Sequence, residues 1–177
     1  MPVIVRWVGA VLLLPGMMLI AAFCLGSVTA AQTVADDASL RAALKKAGPG
    51  TTIRIAPGRY APGVYAAGLQ GTEREPIVIE GADSKDPPRF EGGREAWHLS
   101  GCAHLTLRHI AASGQSDNGI NVDDGGTPAH HVVLEKLRVS DTGPQGNHDA
   151  IKLSGVDDFA VRDCVVEGWG GQSVDMV

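Results

Sequence analysis

Cysteine is nearly absent from this chain. Of 177 residues only three are cysteines, and Cys24 falls within an N-terminal apolar run, leaving Cys102 and Cys164. Two thiols are too few for a disulfide-built scaffold. Positive charge is short as well, with 15 Lys and Arg against 20 Asp and Glu. That balance excludes a broad nucleic-acid-binding surface, and any bound polyanion must be met by a local cluster of Lys, Arg or metal. Helical periodicity is confined to one stretch, and the one long apolar run lies at the N-terminus.

That run follows Arg6 and extends from Trp7 to Leu25, ahead of SVTA with small residues at Val28 and Ala30. A basic start, an apolar middle and a small-residue cleavage site predict a signal peptide over residues 1–30. A membrane anchor is the competing reading, because the run approaches spanning length, but Pro15 and Gly16 interrupt it. Phe23 before Cys24 does not suit a lipoprotein signal. The expectation is a secreted or periplasmic protein, free of the membrane after cleavage, with a net charge near −6 once Arg6 is removed.

Residues 31–50 carry the helical stretch, DDASLRAALKKA from Asp36 to Ala47. Leu40, Ala43, Leu44 and Ala47 share a face, acids open it and Lys45 and Lys46 close it. Gly48, Pro49 and Gly50 end it. A short amphipathic helix at this point suits the N-terminal cap of a solenoid.

From Thr51 the pattern changes to short apolar alternation broken by Gly, Pro, Asp and Asn. AWHLSGCAHLTLRHI (96–110) and AIKLSGVDDFAVRDC (150–164) align without a gap, matching Ala96/Ala150, Leu99/Leu153, Ser100/Ser154, Gly101/Gly155 and Arg108/Arg162. HVVLEKL at 131–137 lies midway, so the period is about 27 residues, in the solenoid range. At that period Cys102 and Cys164 fall about two turns apart, out of disulfide reach, and Cys164 takes the core position of Ile110 and Leu137.

Three ladders emerge. One stacks Ile53-Arg54-Ile55, Ile77-Val78-Ile79, Leu105-Thr106-Leu107, Val132-Val133-Leu134 and Phe159-Ala160-Val161. A second stacks Ile110-Ala111-Ala112, Leu137-Arg138-Val139 and Cys164-Val165-Val166. The third stacks Trp97-His98-Leu99, Ile120-Asn121-Val122, Ile151-Lys152-Leu153 and Val174-Asp175-Met176. Three short strands per turn predict an all-β parallel β-helix over 51–177, with the outer residues of each triplet inward and the middle one outward. A leucine-rich repeat has a similar period but needs a buried Asn or Cys after Leu-x-x-Leu-x-Leu, and that Asn is absent. SVDMV at 173–177 reads as a strand just beginning with no C-terminal cap after it, so the β-helix is expected to be incomplete.

TTIRIAPGRY, PIVIEGA, PPRFEGG, WHLSG and AIKLSG together resemble secreted right-handed parallel β-helix proteins: pectate lyases, the chondroitinase B and alginate lyase family, and alginate epimerases. The resemblance spans essentially all of 51–177 and rests on turn and core positions. It implies a right-handed helix and an extracellular or periplasmic role on acidic polysaccharide, often with calcium. Fold analogy does not carry an activity. The Lys-Ser pair of the chondroitinase B type is replaced by Ser154-Gly155, with no Glu on the preceding strand. Asp123-Asp124 is similar to the Asp pair of polygalacturonases, but their Gly-His-Gly and Arg-Ile-Lys are missing.

Polar residues concentrate on two columns. Arg108, Glu135 and Arg162 form an alternating-sign row, with Lys136 and Asp163 beside it. It suits a surface salt-bridge ladder better than a uronate-binding row, since Glu135 can serve both arginines. The other column runs outward through His98, Asn121, Lys152 and Asp175. Asp117, Asn118, Asp123, Asp124, His148 and Asp149 flank it, and loops of varying length border it (DDGGTPAHH, DTGPQGNHD), as they do at solenoid binding grooves.

Three chemistries fit this column. Uronate β-elimination and epimerisation need a neutralised carboxylate and a base for the C5 proton. Asp123, Asp124 and Asp149, with Asn121, are hard oxygen ligands suited to calcium, and Lys152 or His148 is the candidate base. His98, Asn121 and Asp175 are the candidate substrate contacts. Glycoside hydrolysis needs two carboxyls, which Asp149 and Asp123 or Asp124 supply. A non-catalytic glycan-binding or structural β-helix fits equally, because Asn and Asp at strand ends commonly bond turn backbone. No turn needs a lysine at Lys152. His98 and His148 stand singly, without zinc-ligand spacing, so zinc is not expected and calcium is the one cofactor anticipated.

Overall fold

The structure, a computed structural model, describes residues 31–177. The expected signal peptide lies outside the described residues. After β1 (Gln32–Val34), helix α1 spans Asp37–Leu44. Asp36 caps it by accepting from the Ser39 amide while the Ser39 hydroxyl receives the Asp36 N–H, a reciprocal capping box. The helix is shorter than the Asp36–Ala47 expectation because Lys45 already serves as its C-cap. Leu40, Ala43 and Leu44 are buried against the first rung of strands.

The remaining strands are β2 (Thr52–Ile55), β3 (Arg59–Tyr60), β4 (Val64–Ala67), β5 (Ile77–Gly81), β6 (Arg89–Glu91), β7 (Trp97–Ser100), β8 (Ala103–Arg108) and β9 (Ala111–Ser113). They continue with β10 (Ile120–Asp123), β11 (Ala129–Glu135), β12 (Arg138–Thr142), β13 (Ile151–Ser154), β14 (Val156–Asp157), β15 (Ala160–Arg162), β16 (Val165–Trp169) and β17 (Val174–Met176). Strands stack in parallel on their copies in the next turn. The three sheets run β1-β2-β5-β8-β11-β14 (with β15 also on β11), β3-β6-β9-β12-β16 and β4-β7-β10-β13-β17. This is a parallel β-helix of about five turns, as the ladders predict.

Register agrees with the sequence reading except in one place. Ile53 pairs with Ile79 rather than Ile77, a slip of two residues. Because side chains alternate with period two, a slip of two leaves the inward face unchanged, so the sequence pattern could not detect it. The inward residues form one continuous core. Ile53, Ile55, Ile77, Ile79, Leu105, Leu107, Val132 and Leu134 have no accessible surface, nor do Phe90, Trp97 and Leu99. Tyr60 stacks on Phe90 of the next rung at 5.5 Å, and Phe90 meets Trp97 of the third sheet at 5.3 Å, joining two sheets through the core. Cys102 is buried, Cys164 packs partly against the core, and both are free.

Corners recur with the same period. Left-handed backbone appears at His104, His131 and Asp158, at His109, Lys136 and Asp163, and at Gly114, Asp141 and Gly168. Each series advances by one full repeat per step. Such φ values are costly for most L-residues, and Asp and His are among those that tolerate them best. At Gly119 the constraint is space. A Cβ there would lie 2.5 Å from Val139 Cγ1 and 2.6 Å from the Ala150 carbonyl.

The charged row on the first sheet is longer than expected and paired differently. It runs Arg54, Glu80, Arg108, Glu135, Arg162 down successive rungs. Arg108 bonds Glu80, at 2.8 Å from Nε and 2.6 Å from Nη2, while Glu135 takes Arg162 and Lys136. Glu135 therefore does not serve both arginines, because Glu80, one rung above, reaches Arg108. Lys136 likewise pairs with Glu135 and not Asp163.

Deleting a core side chain tests the shared interior. Leu107→Ala should cost about 2–5 kcal/mol, and the exposed change Glu73→Ala no more than about 0.5 kcal/mol. Urea unfolding at constant m-value reads both.

Candidate functional site

The outward column of the third sheet begins one rung earlier than the sequence pattern indicates. Tyr65 pairs in register with His98, His98 with Asn121, Asn121 with Lys152 and Lys152 with Asp175. Their inward neighbours, including Val64, Trp97, Leu99, Ile120, Val122, Ile151 and Leu153, are buried. Alternation therefore holds the column outward. Tyr65 is 60% exposed and meets the edge of the His98 ring at 5.1 Å. Beside it, Arg41 of α1 and Lys45 at its C-cap join Tyr65, Ala66 and Leu69 around a shallow cleft.

Two polar clusters occupy the column. In the first, His98 Nε2 lies 2.6 Å from Asp123 Oδ2 and its Nδ1 lies 3.3 Å from Glu95. Ser100 donates to the other Asp123 oxygen. Burial raises the Asp123 pKa, but the hydrogen bonds from Ser100 and His98 outweigh it and hold the carboxyl below its ordinary value. Both ring nitrogens of His98 thus face carboxylates, leaving neither free to take a substrate proton.

In the second cluster Lys152 Nζ lies 2.8 Å from Asp175 Oδ2 and 3.3 Å from Asp149 Oδ2. Gln172 knits the two acids together, its amide N–H donating to Asp149 and its side chain to Asp175. Asp149 is fully buried. Its own backbone N–H donates to Asn118 Oδ1 across one rung. The Lys152 pKa is raised, chiefly by the Asp175 hydrogen bond, with Asp149 adding to it against the cost of desolvation. The Asp175 pKa is correspondingly lowered. Lys152 is thereby held as an ammonium that donates to both carboxylates.

The other expected residues lie around these clusters. His148 Nδ1 is 2.9 Å from Asp117, which also receives Arg94. Burial raises the Asp117 pKa, but Arg94, the Asn118 amide and His148 bring it below its ordinary value. His148 Nε2 has no hydrogen-bond partner among the described residues. Asp124 turns back to the Gly126 amide and packs on Gly155. Asp123 and Asp149 sit in separate hydrogen-bonded clusters, and Asp124 caps a turn. Among the described residues these three do not converge as one ligand set. Asn121 stands between the clusters with its amide unengaged among the described residues.

Sequence reasoning missed Tyr65, Glu95, Ser100 and Gln172. Tyr65 had a signal, the alternation Val-Tyr-Ala at 64–66, but the turn leading to its partner His98 is longer than the repeat, which puts it outside a search at the repeat's period. Gln172 and Glu95 lie in turns and had none.

No family model matches the chain, and no curated protein does. Among solved structures, an alginate lyase from Paenibacillus sp. str. FPU-7 is similar, at a TM-score of 0.41 and 17% identity. The match covers 78% of this chain and 65% of that one, so this chain spans just under two thirds of its length. At this level of similarity the assignment of a parallel β-helix rests on the strand ladders themselves.

The clusters have a pH signature. Asp117, Asp123 and Asp175 have folded-state pKa values below the unfolded ones. Their contribution to stability is full above the ordinary carboxylate range and is lost as pH falls through the lowered values. Lys152 has the opposite sign, so its contribution is full below the ordinary lysine range and is lost as pH rises through the raised value. Lys152→Ala should destabilise by about 1–3 kcal/mol at neutral pH, because buried Asp149 loses a charged donor. Thermal melts across pH should show this deficit shrinking as pH falls through the lowered Asp175 value, since a protonated Asp175 no longer holds the ammonium.

Proposed function

We propose that this protein is an exported β-helix that binds acidic polysaccharide along the Tyr65–His98–Asn121–Lys152–Asp175 column. The observation carrying this reading is the head of the column, where an exposed tyrosine stands beside Arg41 and Lys45. An aromatic face offers apolar contact to a pyranose ring, and two cations meet the carboxylates of a uronate. These are the local basic residues that a net-acidic chain needs in order to hold a polyanion. Below Tyr65, Asn121 offers an amide donor and acceptor to sugar hydroxyls between the two paired clusters. The rungs are about 4.8 Å apart, so one sugar unit advances by roughly one rung.

Uronate β-elimination or epimerisation is the reaction class this groove would serve. The pairing of Lys152 with Asp175 and Asp149 favours it as proton donor or hydrogen-bond donor, and moves the role of base to His148, whose Nε2 is open. Calcium held by Asp123, Asp124 or Asp149 would displace His98, Lys152 or the Gly126 amide from its carboxylate. Calcium dependence therefore reads directly on those ligands.

The test incubates the protein with alginate, pectate and chondroitin, with and without calcium. Affinity electrophoresis reports binding, ultraviolet absorbance reports the C4–C5 double bond of elimination, and a reducing-end assay reports hydrolysis. Binding to at least one polymer is expected, weakened about tenfold in Tyr65→Ala, equivalent to ~1.4 kcal/mol. An absorbance rise that disappears in His148→Ala supports elimination. Reducing ends without absorbance identify a hydrolase instead, and binding with neither signal identifies a non-catalytic glycan binder. Failure to bind all three polymers overturns the proposal.

A further inference from the structure

We propose that His104, His130 and His131 form a binding site for one divalent transition-metal ion of the zinc, nickel or copper type, joining two successive rungs of the solenoid. The site belongs to the first sheet, on a different sheet from the polysaccharide column, and is independent of that reading. It also differs from the single histidines His98 and His148.

The fold assembles it from a repeated corner. His104 on β8 and His131 on β11 hold equivalent places in adjacent parallel strands, since Leu105 pairs with Val132 and Ala103 with His130. Both have left-handed backbone, with φ of 46° and 54°. The left-handed residue at 131 breaks strand alternation, so the consecutive His130 and His131 both reach solvent instead of facing opposite sides. Three imidazoles therefore gather where a regular strand pair would present two.

Their geometry is that of ligands around a common point. His104 and His131 stack at 4.4 Å, and His130 stands edge-on to both, at 5.3 and 5.1 Å. The Nδ1 atoms of His130 and His131 are 2.9 Å apart, and one ligating nitrogen from each of the three rings lies within 4.8 Å of the others. Zinc–nitrogen bonds of about 2.0–2.1 Å in a tetrahedron place the nitrogens ~3.4 Å apart. Small ring rotations bring these atoms to that spacing. A purely stacked histidine pair would not require the third ring.

The far side of His131 supports the same reading. Its Nδ1 turns toward His130, while its Nε2 lies 4.0 Å from Asp158 Oδ2. A carboxylate behind a ligating imidazole orients the ring and strengthens it as a donor. Asp158 is the next left-handed residue of the series that contains His104 and His131. Three imidazoles select borderline transition metals over calcium or magnesium. All three rings are partly exposed, which leaves a coordination position for water or a further ligand.

Isothermal titration of chelator-treated protein without an affinity tag tests the site, using zinc chloride and nickel chloride. One ion per chain is expected, with a zinc-dependent rise in Tm that disappears on acidification as protons displace the metal. His130→Ala and His131→Asn should each weaken zinc binding by more than the roughly 10–100-fold that loss of an outer-shell partner costs. Asn tolerates left-handed backbone, so His131→Asn should keep the metal-free Tm. Copper electron paramagnetic resonance on the unsubstituted protein should show coupling to imidazole nitrogens. Absence of saturable one-to-one uptake, unchanged affinity when His130→Ala and His131→Asn are combined, or a copper signal without imidazole coupling would each overturn the proposal.

Discussion

In-register parallel stacking is the constraint on which the rest of this structure depends. Each rung bonds its backbone to the rung before and the rung after, and Leu105, Leu107, Val132 and Leu134 fill the interior only while that register holds. A shift of one residue would turn the inward set outward on a whole strand. The same register fixes every surface feature. The Arg54–Glu80–Arg108–Glu135–Arg162 row, the Tyr65-to-Asp175 column and the histidine corner are each one position of the repeat, copied down the axis. Surface chemistry is thus ordered in one dimension by a core that is ordered in the same dimension.

Polar residues on this scaffold are mostly committed to one another. Asp123 is held by His98 and Ser100, Asp149 and Asp175 by Lys152 and Gln172, and Asp117 by Arg94 and His148. These pairs bridge neighbouring rungs and reinforce the ladder beneath them. They also change what each residue can do. A lysine beside two carboxylates remains an ammonium, and a carboxylate facing a histidine and a serine already has partners that a ligand would have to replace. Among the described residues the uncommitted groups on and beside the column are Tyr65, Asn121, the Nε2 of His148 and the Lys45 ammonium at the end of α1. They mark where a ligand can engage the column without displacing an internal partner.

Much of the fold was legible before any coordinates. The regular period placed the three ladders, and Ala96/Ala150 and Leu99/Leu153 identified equivalent buried positions. Gly101 and Gly155, aligned as copies, do share left-handed corners at φ of 56° and 64°. The pattern was weaker where a turn changes length. Val64-Tyr65-Ala66 and Tyr60 are each separated from their partners on the next rung, Trp97-His98-Leu99 and Phe90, by more than one period, and both escaped notice. The pairing of Arg108 with Glu80 is not legible either, because the choice between a glutamate on the rung before and one on the rung after is made by side-chain reach. Sequence order does not encode that choice.

The sequence by itself determined the architecture, because a periodic apolar pattern has few ways to bury itself and stacked rungs satisfy all of them at once. It also placed His98, Asn121, Lys152 and Asp175 on one outward line, since register follows from the inward residues. Only the tertiary structure decided the partnerships. Asp149 and Asp175 are separated in sequence by the four strands β13 to β16, a full turn of the solenoid, yet they hold the same ammonium. His104 meets His130 and His131 through a left-handed corner that breaks alternation. Protonation state and ligand geometry depend on separations of a few ångströms between rungs, and those separations are set by how the turns fold back.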